Sequence, residues 1–168
     1  MRVAVTGTPG TGKTTATGLL DTDLDVIHLN DVIRSEGLST GTDEERGSLV
    51  ADMDALEAWL DGRGDAIVES HLAHNFDADR VVVLRAHPDT VVSRLRERGD
   101  SDSKADENAE SEALDVVLSE AVHHHGTENV FEIDTTDRDP EEVAAEIAAV
   151  VAGEREPSAG TVSYVDWL

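Results

Sequence analysis

Near the amino terminus, Gly7-Thr8-Pro9-Gly10-Thr11-Gly12-Lys13-Thr14 matches the spacing G-x-x-x-x-G-K-[ST]. In that pattern the glycines let the backbone curl until successive N–H groups point at phosphate oxygens, and the helix that follows adds the positive end of its dipole. Gly10 and Gly12 are the turn-makers. Lys13 supplies a compact charge for the β- and γ-phosphates, Thr14 a hydroxyl ligand for Mg²⁺, and Thr15 a donor to the α-phosphate. A strand before the run and a helix after it are the context this motif requires.

Phosphoryl chemistry needs a second acid on the magnesium side and cations for the group in transit. Glu69 ends the apolar run Ala66-Ile67-Val68 and is the acid candidate, with Mg²⁺ held directly or through water. His71 and His74 follow in the same loop; His71 is placed to orient water or an acceptor phosphate. The cation candidates are Arg34, Arg46, Arg85, Arg94 and Arg98, because a planar guanidinium suits bidentate phosphate contacts. Arg94 and Arg98 lie four apart, on one face of a helix. The triplet His123-His124-His125 is read as cation-capable side chains at a helix C-terminus, since consecutive helical residues point in different directions and cannot easily share one ion.

The elements that must position these groups alternate between short β-branched runs and helical periodicity, the pattern of an α/β domain with a mainly parallel sheet. Strands are expected at 2–6, 25–29, 65–70, 79–85 and 129–133. Helices are expected at about 13–20, 30–36 with Asn30 as cap, from Ser48 through Leu60, from Pro88 to Arg98, as one long helix over 104–124, and at 140–152. Residues 37–47, with three glycines, read as a loop, and the ending from Pro157 onward as a loop-like tail. The reading is one domain over residues 1–153 and a tail over 154–168.

The chain has 168 residues, 13 Lys+Arg against 37 Asp+Glu, and a formal net charge of −24. That balance excludes an extensive nucleic-acid interface, which depends on clustered cations, and an anionic membrane surface. Cysteine is absent, which excludes a disulfide framework and a thiol nucleophile. No run approaches a membrane span or a signal peptide, so a soluble cytoplasmic protein is expected. Only Lys13 and Lys104 are lysines, against eleven arginines. Abundant acid with almost no lysine suits a salt-rich cytoplasm, where a Debye length of about 3 Å mutes self-repulsion.

The phosphate loop alone leaves GTPases, ATPases and small-molecule kinases open, although no Asn-Lys-x-Asp guanine motif is visible. The order of Gly7–Thr15, Asp43-Glu44-Glu45-Arg46, Glu69-x-His71, Val83-Leu84-Arg85, Arg94-Leu95-x-x-Arg98-Gly99 and Glu107-Asn108-x-Glu110 resembles the archaeal and eukaryotic adenylate kinase isoenzyme 6 type through about residue 152. The resemblance implies a P-loop NTPase three-layer sandwich with a five-stranded parallel sheet, adenylate-kinase-like. It implies a monophosphate-binding segment over about 28–51 and a short lid over about 98–108. It also implies transfer of the ATP γ-phosphoryl group to AMP or another nucleoside monophosphate, with ATP and Mg²⁺ as cofactors. ATP would be held by Gly10, Gly12, Lys13, Thr14, Thr15 and Arg98, and the acceptor phosphate by Arg34. Glu69 departs from the Asp more usual in the family and has a longer, looser arm; Asp100, Ser103 and Asp106 depart in the lid, while Lys104 matches a lid lysine.

The resemblance further implies ATP hydrolysis tied to small-ribosomal-subunit maturation, with a small-subunit ribosomal protein as partner. Assembly with hydrolysis as a switch is therefore the alternative to kinase activity, and a kinase for another small metabolite is a third. The surface charge generates its own prediction: the melting temperature rises from low to molar KCl, and an unchanged value overturns the salt-adapted reading.

Overall fold

The computed structural model describes residues 1–44 and 48–168, with Ser48 described by its backbone; Arg46 lies outside the described residues. Five strands form a parallel sheet in the order β2-β5-β1-β6-β7: β1 Arg2–Thr6, β2 Asp25–His28, β5 Ala66–Glu69, β6 Arg80–Arg85 and β7 Val130–Asp134. From β1 the chain crosses to β2 on one side, and from β5 it crosses to β6 on the other. That reversal opens a crevice beyond the carboxyl end of β1, where α/β sheets hold ligands.

Strand alternation divides the core between the two faces. Ala4, Val68, Val81, Val83 and Val130 pack with α2 (Leu29–Ser35), α3 (Met53–Leu60) and α6 (Val116–His125). Val3, Val5, Ile67, Val82, Leu84, Phe131 and Ile133 face α1 (Lys13–Gly18) and α7 (Pro140–Val151). A smaller cluster, Ala86, Val91, Leu95 and Ala105, joins α4 (Pro88–Glu97) to α5 (Asp102–Ala113). Among the described residues, no helix is long and apolar enough to cross a membrane.

Four expectations about the secondary elements are corrected. Part of the expected loop at 37–47 is β3 (Ser39–Asp43), paired antiparallel with β4 (Ser48–Ala51). The Ser-Thr-Gly composition of β3 hides it, because no apolar alternation marks a strand with so little buried surface. The next helix therefore starts at Met53, not Ser48: Asp52 caps it by accepting from Ala55 N–H at 3.1 Å. Leu56 and Leu60 keep their buried face, whereas Leu49 is exposed.

Asn30 is not a cap but lies inside α2, where its Oδ1 accepts from Ser70 Oγ; His28 holds the cap position. The long helix is broken into α5 and α6 at Asp115, whose left-handed φ of 56° turns the chain. Ala109, Ala113, Val117 and Ala121 are buried on either side of the break.

At this turn Asp115 meets Arg85. This guanidinium, 1% exposed, donates to Glu112 Oε2 (3.1 Å), Glu132 Oε2 (2.9 Å), Asp115 Oδ1 (2.5 Å) and the carbonyls of Glu112 and Val162. The expectation of Arg85 as a cation for substrate phosphate is thus replaced: its donors are committed inside the protein.

The tail is also held. Backbone N–H groups of Gly160 and Thr161 donate to Glu132 Oε1, and Tyr164 Oη donates to Asp134. Burial raises the Glu132 pKa against the pull of Arg85 and these two amides. Arg85→Leu leaves buried Glu112 and Glu132 without their cation. We expect a loss of about 3–5 kcal/mol, read from denaturant unfolding at molar KCl; a loss below about 1 kcal/mol would contradict the network's structural role.

Candidate active site

The phosphate loop leaves β1 at Gly7 and enters α1 at Lys13. A Cβ on Gly7 (φ 149°) would lie 2.6 Å from the Leu84 carbonyl oxygen, so only glycine lets the loop run this close to β6. Thr8 organises the curl: its carbonyl accepts from Thr11 N, Thr11 Oγ1 (2.8 Å) and Lys13 Nζ (3.1 Å). Its hydroxyl donates to Glu112 Oε1 at 2.9 Å, tying the loop to the Arg85 network.

Lys13 Nζ also donates to Gly7 O at 2.8 Å. Burial lowers its pKa to about 8; Glu69 and Glu112 oppose the shift and Arg98 adds to it. The ammonium is therefore a charge held by the loop's own carbonyls, with little water around it.

The second acid arrives from β5. Glu69 is buried, and its Oε1 accepts from Thr14 Oγ1 at 3.2 Å. His28 Nδ1 lies 2.7 Å from the same oxygen, because His28 and Glu69 are register partners in the β2–β5 pairing. A hydroxyl and a carboxylate converging beside Lys13 form a hard oxygen donor set, which fits Mg²⁺ held by few protein ligands and the substrate's own phosphates.

His71 sits in the same cleft. Burial, then Lys13, lower its pKa to about 4, so the imidazole is neutral at pH 7 and can orient a hydrogen-bonded group without adding charge. His74 is already engaged: Nδ1 is 2.7 Å from Thr6 Oγ1 and Nε2 is 3.1 Å from Glu120 Oε1. Burial lowers its pKa against the pull of Glu120.

The cations differ in how free they are. Arg94 donates through Nη1 to Gly10 O (3.3 Å) and Thr135 Oγ1 (3.1 Å), and through Nη2 to Thr135 O (2.9 Å), bracing the loop from α4. Arg98, after α4, pairs with Asp100 (2.5 Å), whose other oxygen lies 3.8 Å from Lys104 Nζ. Arg34, on α2, is 70% exposed and has a loose 3.7 Å pairing with Asp31.

One cleft of about 1360 Å³ is lined by Lys13, Thr14, Thr15, Glu69 and His71 and also by Arg34, Arg94, Arg98 and Lys104. Gly10 and Gly12 also line it. The sequence reading missed His28, Thr8, Glu112 and Thr135. Glu112 lies two residues beyond the Glu107-Asn108-x-Glu110 stretch, which was a usable signal; His28 had none, because its role depends on which strand neighbours β5.

The chain is similar to known proteins over its full length. Residues 3–115 match the family described as AAA domain. A protein named "Putative adenylate kinase" from Natronomonas pharaonis is 65% identical, with both chains covered completely. Its namesake from Halobacterium salinarum is 63% identical, again over the whole of both chains. Among solved structures, a shikimate kinase from Acinetobacter baumannii in complex with shikimate superposes with a TM-score of 0.62 at 15% identity, covering 92% of this chain and 94% of that one. At that identity the likeness concerns the fold.

The depressed Lys13 pKa has a measurable consequence. A polyphosphate beside Nζ favours the ammonium, so binding raises that pKa and takes up protons at pH 8–9. Affinity accordingly falls as pH rises through about 8. Calorimetry of ATP binding in buffers of different ionisation enthalpy checks this, and no buffer dependence would contradict it.

Proposed function

Because the chain belongs to the archaeal adenylate kinase family, we propose that it transfers the γ-phosphoryl group of ATP to AMP, giving two ADP, with Mg²⁺ bound at Thr14 and Glu69. It is a phosphotransferase, acting from ATP on a nucleoside monophosphate. What carries the choice of acceptor is that one cleft is lined by the phosphate loop, by Glu69 and by Arg34 of α2. At about 1360 Å³ the cleft exceeds the range of about 300–1,000 Å³ usual for one small ligand and has room for two nucleotides.

In this reading the loop amides, with Gly10 and Gly12 allowing their approach, cradle the ATP phosphates, and Thr15 donates to the α-phosphate. Lys13 leaves its carbonyl partners to meet the β- and γ-phosphates. Bound Mg²⁺ would neutralise charge on the β- and γ-oxygens. Arg34 holds the AMP phosphate, one oxygen of which attacks the γ-phosphorus in line while the bond to the β–γ bridging oxygen breaks and ADP leaves. His71, neutral, orients the acceptor oxygen. Arg98 releases Asp100 to follow the transferring group, and Arg94 acts by bracing Gly10. Arg46 belongs to the acceptor-side segment as a further cation. Catalysis is positioning plus charge stabilisation, with no covalent intermediate, and closure over residues 98–108 excludes water.

A second reading is assembly with a basic small-subunit ribosomal protein and ATP hydrolysis as a switch; the −24 charge suits a basic partner and salt adaptation equally, so charge does not separate the two readings. Both activities belong in the cytoplasm, where ATP and ribosomes are. A coupled assay at molar KCl is expected to show AMP-dependent ADP formation, reduced roughly 10²-fold or more by Lys13→Ala. ADP formation independent of AMP, together with nucleotide-sensitive capture of the ribosomal protein, would favour the second reading.

A further inference from the structure

A glutamate at the end of β5 raises a mechanical problem. It has one more rotatable bond than an aspartate, so a carboxylate meant to meet a metal beside Thr14 needs something to fix it. His28 does this. It ends β2 and occupies the cap position of α2, and the parallel register of β2 and β5 puts it directly beside Glu69.

The Nδ1···Oε1 distance is 2.7 Å, shorter than the 3.2 Å from Thr14 Oγ1 to the same oxygen. A carboxylate able to meet a metal only accepts hydrogen bonds, so in this pair Nδ1 carries a hydrogen and donates. His28 and Thr14 both hold Oε1, which leaves Oε2 as the less committed oxygen.

We propose that His28 is a positioning residue for the metal site: its Nδ1–H locks the Glu69 carboxylate in the orientation that Mg²⁺–ATP requires. The proposal rests on the assignment of Glu69 to the metal. The same side chain joins that acid to α2, the helix that carries Arg34, so the metal side and the acceptor side of the cleft meet at one residue. Outer-shell hydrogen bonds to ligating groups typically change metal affinity roughly 10- to 100-fold when removed.

The experiment measures binding of β,γ-imido-ATP by calorimetry with Mg²⁺ and with EDTA, taking the ratio of the two affinities. Thermal melts confirm that each variant is folded. His28→Ala is expected to lower the ratio about tenfold, with the EDTA affinity nearly unchanged. His28→Asn, whose amide can donate from near the Nδ1 position, is expected to retain most of it. In a Glu69→Asp background the shorter carboxylate needs no such anchor, so His28→Ala should have little effect there.

Glu69→Gln separates metal binding by Glu69 from positioning by His28. If it leaves the ratio intact, the metal assignment itself falls. If it lowers the ratio while His28→Ala does not, the assignment stands and the positioning role is overturned. Equal losses in the Ala and Asn variants, or an undiminished His28→Ala effect in the Glu69→Asp background, would also overturn it.

Discussion

The rest of the structure depends on the burial of one guanidinium. Arg85 emerges at the carboxyl end of β6 in a space closed to water, and its donors must be satisfied by protein. Glu112 answers from the end of α5, Glu132 from β7 and Asp115 from the turn between α5 and α6. Three carboxylates around one cation leave excess negative charge. Amides from Gly160 and Thr161 offset part of it, which is why the tail follows β7. The second oxygen of Glu112 then accepts from Thr8, so the seat of the phosphate loop is fixed by the same group that satisfies Arg85. Fold and site share one electrostatic solution.

The distribution of charge follows from this separation. Most acids lie on the surface, where molar salt would screen them, while several cations are turned inward to the cleft or its supports. Lys13 is held by backbone carbonyls and Arg94 by Gly10 and Thr135. Arg98 and Lys104 share Asp100. Asp100 gives these two cations a partner of their own, and an incoming phosphate must compete with it. Exposed pairs of this kind contribute roughly 0–1 kcal/mol, so the competition is mild.

What could be read in the chain follows the range of the interaction. Gly7 to Thr15, the strand ending in Glu69 and the periodicity of α4 and α7 were legible because their constraints act within a few residues. The β3–β4 hairpin was not, because its strands bury too little apolar surface to carry an alternating pattern. The break at Asp115 was invisible for another reason: Ala109 through Ala121 keep a helical apolar spacing across it, and the arginine that Asp115 meets there lies 30 residues away in the chain. Arg85 read as a phosphate ligand by residue type, yet its neighbours across the sheet claim it.

By itself the sequence determined that this is an α/β protein with a phosphate loop closed by Lys13 and Thr14, that Glu69 ends a buried strand, and that the chain as a whole is strongly acidic. Those properties reside in local spacing and composition. Tertiary structure decided which arginines face the cleft, that His28 meets Glu69, and that Glu112 anchors Thr8. The last two are hydrogen bonds between residues 41 and 104 positions apart, and such partners are chosen by strand order and packing rather than by neighbouring residues.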